Sequence, residues 1–252
     1  MMAVSGPKVP PTPGSDGKVW CYYNVVDISS PTTLTENNSG FSAMQVDGVN
    51  VPLATSYQFS TTGEHLVKFT LKDATRLQGM VWRGAGRPTK IYLPDSVTYL
   101  PDYCFYYNDN TILEVFSTPG VQSIGINYLY GSDNLVLSFP SLTTIRGTNN
   151  GLNCAEIVDL GSITTYPGQG FQGSFRRIVL PETVTEITNY FLYYCTNCTE
   201  VVIKAVNPPT LGTSPFDHID SNFVIYVPSG SVSAYQAANR WSNYASRIQA
   251  IP

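Results

Sequence analysis

The chain has 252 residues, a net charge of −4 and 13% charged residues, against roughly 25% in an ordinary soluble domain. That balance leaves no basic footprint for nucleic acid, and the apolar runs fall far short of the ~20 residues of a membrane-spanning helix. With 17 Tyr and 11 Phe there is ample surface to bury, which excludes disorder over most of the length.

Residues 1–17 hold Pro7, Pro10, Pro11 and Pro13 with Gly6, Gly14 and Gly17. Prolines lack an N–H donor and fix φ, so this stretch reads as an extended arm rather than helix or central strand. It lacks the basic and apolar regions of a secretory signal, and docking of the arm into an assembly partner is one expectation. Residues 18–73 read as a small antiparallel β domain. Asp47-Gly48 between Ala43–Val46 and Val49–Val51 signals a type I′ hairpin. Val67, Phe69 and Leu71 alternate with Lys68 and Thr70, which buries one face of that strand.

From residue 74 to 228 the chain repeats. Val97, Val121, Leu142, Ile163 and Val184 are spaced 24, 21, 21 and 21 residues apart, each followed three residues later by Leu100, Ile124, Ile145, Tyr166 and Ile187. Such a period predicts a leucine-rich-repeat-type solenoid with one short strand per turn and a parallel sheet. Each strand ends before a Pro or Gly. This frame points Ile91/Leu93, Phe116/Thr118, Leu137/Phe139, Val158/Leu160, Ile178/Leu180, Val201/Ile203 and Ile225/Val227 into the core. Tyr92, Ser117, Ser138, Asp159, Val179, Val202 and Tyr226 then form an outward row. Phe69-Thr70-Leu71 lies one period before Ile91, and Trp82 falls where Phe105 falls in the next turn, so the β domain should run into a zeroth repeat through that strand. Residues 229–252 should close the other end with a short helix over Val232–Asn239 and with Trp241, Tyr244 and Ile248. The predicted fold is therefore mostly β: a small antiparallel domain, a solenoid and a short helical cap.

Ile91-Tyr92-Leu93-Pro94-Asp95-Ser96-Val97-Thr98-Tyr99-Leu100 and Ile178-Val179-Leu180-Pro181-Glu182-Thr183-Val184-Thr185-Glu186-Ile187 carry a family likeness. In them, and in the Leu192…Cys195 turn end, the chain resembles Bacteroides surface protein A-like (BspA-like) leucine-rich repeats. Ile225-Tyr226-Val227-Pro228 through Trp241 and Ile248 looks like the C-terminal cap common in that family, and the resemblance spans residues 57–252. The third repeat departs, with Gly147-Thr148-Asn149-Asn150-Gly151 where an aromatic anchor belongs. The resemblance implies a non-enzymatic, surface-exposed adhesion or recognition protein of gut or oral bacteria, or of phages that infect them. The Pro-rich arm and the missing secretory signal suit an alternative, a structural or receptor-binding component of a bacteriophage virion. The partner would be a protein or a glycan.

Motifs that imitate chemistry are weak. Cys195-Thr196-Asn197-Cys198 has the C-x-x-C form but no second ligand pair, with His65 and His218 far apart, so structural thiols are expected. Gly168-Gln169-Gly170-Phe171-Gln172-Gly173 matches G-x-G-x-x-G inside a repeat turn, without the strand–helix context a dinucleotide needs. Asp217 and Asp220 offer too few oxygens for a hard cation. No cofactor or metal is expected. Of the clusters Tyr103/Tyr106/Tyr107 and Tyr190/Tyr193/Tyr194, some rings must fill the core or pack between neighbouring turns, and those that do not would expose amphipathic surface. Tyr106, Tyr107, Tyr193 and Tyr194 join Tyr92, Asp159 and Tyr226 as candidate binding residues.

Overall fold

The computed structural model describes residues 12–82, 87–105, 113–125, 128–130, 135–146, 150–166 and 171–252, with backbone alone for 128–130, 150–153 and Gln172. Among these, four antiparallel strands of the main sheet come first: β1 (Lys18–Val25), β2 (Phe41–Val46), β3 (Val49–Val51) and β4 (Gly63–Leu71). Eight strands of the solenoid follow: β5 (Lys90–Tyr92), β6 (Val115–Ser117), β7 (Val136–Ser138), β8 (Glu156–Asp159), β9 (Arg177–Leu180), β10 (Glu200–Ile203), β11 (Val224–Val227) and β12 (Ile248–Ala250). All twelve share one sheet, in the order β12-β11-β10-β9-β8-β7-β6-β5-β1-β4-β2-β3.

A strand of three or four residues cannot hold itself, so each turn leans on the one before it. After their main strands the five turns from β5 to β9 bend at a Pro or Gly, drop a Val, Leu or Ile into the core, and add a two-residue strand on a second side. Tyr99–Leu100, Ser123–Ile124 and Thr144–Ile145 form one such ladder, and Thr165–Tyr166, Glu186–Ile187 and Thr210–Leu211 another. The landmarks Val97, Val121, Leu142, Ile163 and Val184 are all buried, as the period requires. Turns approach so closely at the bend that a Cβ on Gly161 would lie 2.2 Å from the Leu142 carbonyl oxygen, and its φ of +58° is itself suited to glycine.

Two expectations about register need correction. The zeroth main strand is β1, not the Phe69–Leu71 segment: β1 lies between β5 and β4 and runs antiparallel to both. Cys21 faces Ile91 and Val67 on its two sides, so β1 takes the place beside the solenoid and β4 moves one strand out. The zeroth turn does form on the second side, where Arg76 pairs with Tyr99 and Thr75 accepts from the Thr98 and Tyr99 amides. Trp82 stacks on Phe105 at 5.2 Å between centroids, one repeat apart as their spacing predicts. In β8 the inward residue is Ile157 rather than Val158. Leu137 pairs with Ile157 but Ser138 pairs with Asp159, a bulge that leaves Val158 as the extra residue. Asp159 consequently keeps its outward place, and Leu160 its inward one.

At the C-terminal end the helix α1 (Val232–Ala237) stands where expected, and β12 adds a strand that the sequence did not announce. Trp241 donates its indole N–H to the Pro209 carbonyl at 2.7 Å, and Tyr235 its hydroxyl to the Ala205 carbonyl at 2.8 Å. Both rings are buried, so the cap meets the last turn with apolar surface and satisfied donors.

The Asp47-Gly48 hairpin forms with φ of 49° and 85°, the pattern of a type I′ turn. Asp47 also takes a hydrogen bond from His65 Nδ1 at 2.7 Å, while His65 Nε2 lies 2.9 Å from the Thr61 carbonyl oxygen. The imidazolium can donate to both acceptors at once. Burial works against that charge, but the bonds to Asp47 and Thr61 outweigh it and raise the His65 pKa above 6.5. A raised folded-state pKa stabilises the fold below the unfolded value and loses that contribution as pH climbs through the folded one. The urea midpoint should therefore fall as pH rises from about 6 into the alkaline range, and His65→Gln should flatten that slope. The bulge is tested separately: Ile157→Ala should cost about 2–5 kcal/mol in urea unfolding, and Val158→Ala well under half as much.

Candidate functional site

Alternation along each strand sends one side chain to the core and the next outward, and pairing register lines up the outward ones. Gln45, Lys68, Trp20 and Tyr92 stand opposite one another across β2, β4, β1 and β5. The row goes on through Ser117, Ser138 and Asp159, and Val179, Val202 and Tyr226 continue it on β9, β10 and β11. The sequence thus placed Tyr92, Asp159 and Tyr226 correctly on one face, but gave no sign that the row crosses into the N-terminal domain.

Trp20 is the strongest feature of that extension. It points outward yet is only 4% exposed. The Lys68 ammonium sits 3.5 Å above its ring, and Asp16 accepts from both the indole N–H, at 2.7 Å, and Lys68, at 3.0 Å. Burial opposes the Asp16 charge, but these donors prevail and hold its carboxyl below the usual range. Asp16 belongs to the inner end of the Pro-rich arm. There Gly14, at φ +81°, packs so closely on the first repeat that a Cβ would lie 2.9 Å from the Leu93 carbonyl oxygen. Next to Trp20, Tyr22 meets Tyr92 edge-on at 6.0 Å, and Lys90 pairs with Glu64 at 2.6 Å.

The C-terminal half of the face is more aliphatic. Val179 and Val202 keep only 6% and 4% exposure although they point outward. Val158, Asp159, Val179, Glu182 and Lys204 help line a groove of about 280 Å³. That is just below the roughly 300–1,000 Å³ of small-molecule pockets, so the groove alone does not suit an enclosed substrate. Beside it Arg176 and Arg177 pair with Glu156 and Glu200 across β8, β9 and β10. These partly exposed pairs add little stability but fix an alternating charge pattern along the face.

The tyrosine candidates lie on a different side of the turn. Tyr193 and Tyr194 stand in the bend after the second-side strand, with Tyr190, and the structure brings His218 against them. His218 follows Tyr194 by 24 residues, one repeat length, which is the signal that could have joined them. Tyr106 and Tyr107 lie outside the described residues. The outward row and the tyrosine bend are therefore separate surfaces.

All five cysteines are free and buried. Cys195 Sγ donates to the Phe171 carbonyl at 3.4 Å, tying one turn to the next, and burial pushes its pKa up to about 12. His65 is committed to Asp47 and Thr61, and among the described residues no three His, Cys, Asp or Glu side chains converge on a metal-sized site. No helix among the described residues is long and apolar enough to cross a membrane.

A family model described as BspA type leucine-rich repeat region matches residues 55–157 and 151–239, in 6 copies. The chain belongs to the BspA-type leucine-rich repeat family. Members of this family are in general surface-associated, protein-binding repeat modules, and their solenoids are typically non-catalytic scaffolds. No curated protein matches the chain. The matched span takes in the end of the N-terminal domain, in keeping with the zeroth turn around Thr75 and Trp82. Because every thiol is buried and held protonated, a thiol reagent at pH 8 should label none of the five in the folded protein and all five in guanidinium. Fast labelling of Cys195 or Cys198 in the native state would refute their structural role.

Proposed function

We propose that this chain is a non-enzymatic recognition module, displayed outside a cell, that binds a protein or glycan through the outward face of its main sheet. The observation that carries this reading is the row itself. Aromatic anchors stand near both ends of the solenoid, at Tyr92 and Tyr226, with the Asp159 carboxylate between them on the bulged strand. Six strand steps separate the two tyrosines, about 29 Å at the usual spacing, a span suited to an extended partner rather than to a single small molecule. Among the described elements, α1 packs on the C-terminal cap and β12, not on this face. Repeat arrays present extended surfaces of this kind to their partners, and rigid aromatics supply most of the energy in such contacts.

The arm favours a second setting for the same face. Asp16 and Gly14 pin its inner end to β1 and the first repeat, which suits an arm that attaches the module to a phage particle. Co-sedimentation with capsid proteins on a density gradient of the source culture would support that setting. Recovery with the envelope or medium, free of particles, would remove it.

The face is tested on arrays of immobilised glycans and extracellular-matrix proteins. Tyr92→Ala and Tyr226→Ala should each weaken binding by about tenfold or more, and Asp159→Asn should weaken it less, with unfolding midpoints close to that of the parent. Undiminished binding by the triple variant would remove the sheet face as the site.

A further inference from the structure

The bend that carries Tyr193 and Tyr194 joins rings from two successive turns. Residues 190–194 and 214–218 run side by side one repeat apart: the Tyr190 amide donates to the Thr213 carbonyl and the Tyr194 amide to the Asp217 carbonyl. Tyr194 and His218 therefore occupy the same place in successive turns. Both have left-handed backbones, with φ of 63° and 58°. Asn, Asp or Gly is the residue such a position favours, and a bulky side chain there is an outlier. Nor does the core explain Tyr194, which is 55% exposed. Neither backbone preference nor packing calls for an aromatic ring at that point.

The rings are nonetheless ordered against one another. Tyr194 and His218 stack at 4.6 Å with planes 10° apart. Tyr193 stands across both, at 69° to Tyr194 and 78° to His218, and Tyr190 braces Tyr193 at 5.4 Å. The result is a two-rung stack with a perpendicular wall behind it. More than half of the Tyr194 surface stays exposed, so the stack offers ring surface to a ring from outside the chain.

We propose that Tyr194 and His218 form a stacking site for a pyranose ring of a neutral glycan, with the Tyr193 hydroxyl and the Asp217 carboxylate binding hydroxyls at the ring's edge. A pyranose presents an apolar C–H face and a polar rim, which matches flat rings bordered by acceptors. A nucleobase needs a cationic track for its phosphates, and here the charge acting on Tyr193 is the Asp217 carboxylate, on a chain of net charge −4. The Thr213–Pro215 segment that supports the bend also borders a groove with Arg240, Asn243 and Tyr244, where further sugar hydroxyls find donors. This site is independent of the sheet face, although both serve recognition.

The test uses the full chain titrated calorimetrically with cellohexaose, maltohexaose, mannohexaose and N-acetylchitohexaose. At least one should bind. Tyr194→Asn and His218→Asn suit the left-handed backbone and so preserve the fold, shown by an unchanged or raised unfolding midpoint. Each should weaken that binding by about tenfold, the loss expected for one stacked ring. The Tyr92/Asp159/Tyr226 triple variant should bind the same sugar as the parent does. Failure of all four sugars to bind at millimolar concentration, or undiminished binding by Tyr194→Asn, would overturn the proposal. So would loss of sugar binding in the sheet-face variant alone, and so would tighter binding of tyrosine amide than of any hexaose, which would mark a peptide site.

Discussion

Everything in this molecule depends on the backbone ladder between successive turns. A turn of 21–24 residues offers only a short main strand and a two-residue second strand, and both pair with the turns on either side. No turn has a core of its own. The landmark Val, Leu and Ile side chains pack only because the next turn places an equivalent residue above them, so burial and pairing arise together or not at all. Where the turns come closest, glycine is required, as at Gly161 over Leu142.

That dependence makes the two ends the critical places. The C-terminal end is closed by apolar rings whose polar atoms are spent on the last turn, Trp241 on Pro209 and Tyr235 on Ala205. The N-terminal end is closed by pairing. β1 presents one edge to β5 and the other to β4, and the hairpin of β2 and β3 carries the sheet further out. Placing an antiparallel strand beside a parallel array also carries the outward row beyond the repeats, which is why Trp20 and Lys68 share a surface with Tyr92.

Much of this was legible in the sequence for a physical reason. A fixed period forces equivalent residues into equivalent places, so the buried landmarks, the outward Tyr92, Asp159 and Tyr226, and the Trp82–Phe105 stack could all be read from spacing. What could not be read is whatever breaks the period. A bulge adds one residue without changing composition, so Ile157 and Val158 look interchangeable until pairing with Leu137 and Ser138 separates them. The place of β1 is set by a long-range pairing choice, and Phe69–Leu71 satisfied the local pattern equally well. The tie between His218 and Tyr194 escaped notice because the histidine replaces a tyrosine by another flat ring, and the resemblance lies in shape and spacing rather than in residue type.

The antiparallel β1 has a consequence for how such a protein can change in length. A solenoid that ended in a bare parallel strand could accept new turns at either end. Here the N-terminal edge is already matched to a strand of opposite direction, and the C-terminal edge is under its cap. Growth is confined to the interior, by duplication of whole turns between β5 and β11, where each copy finds a parallel neighbour above and below. Each duplication would lengthen the outward row by one strand spacing and leave both closures untouched, so reach could evolve in unit steps while the ends stay fixed.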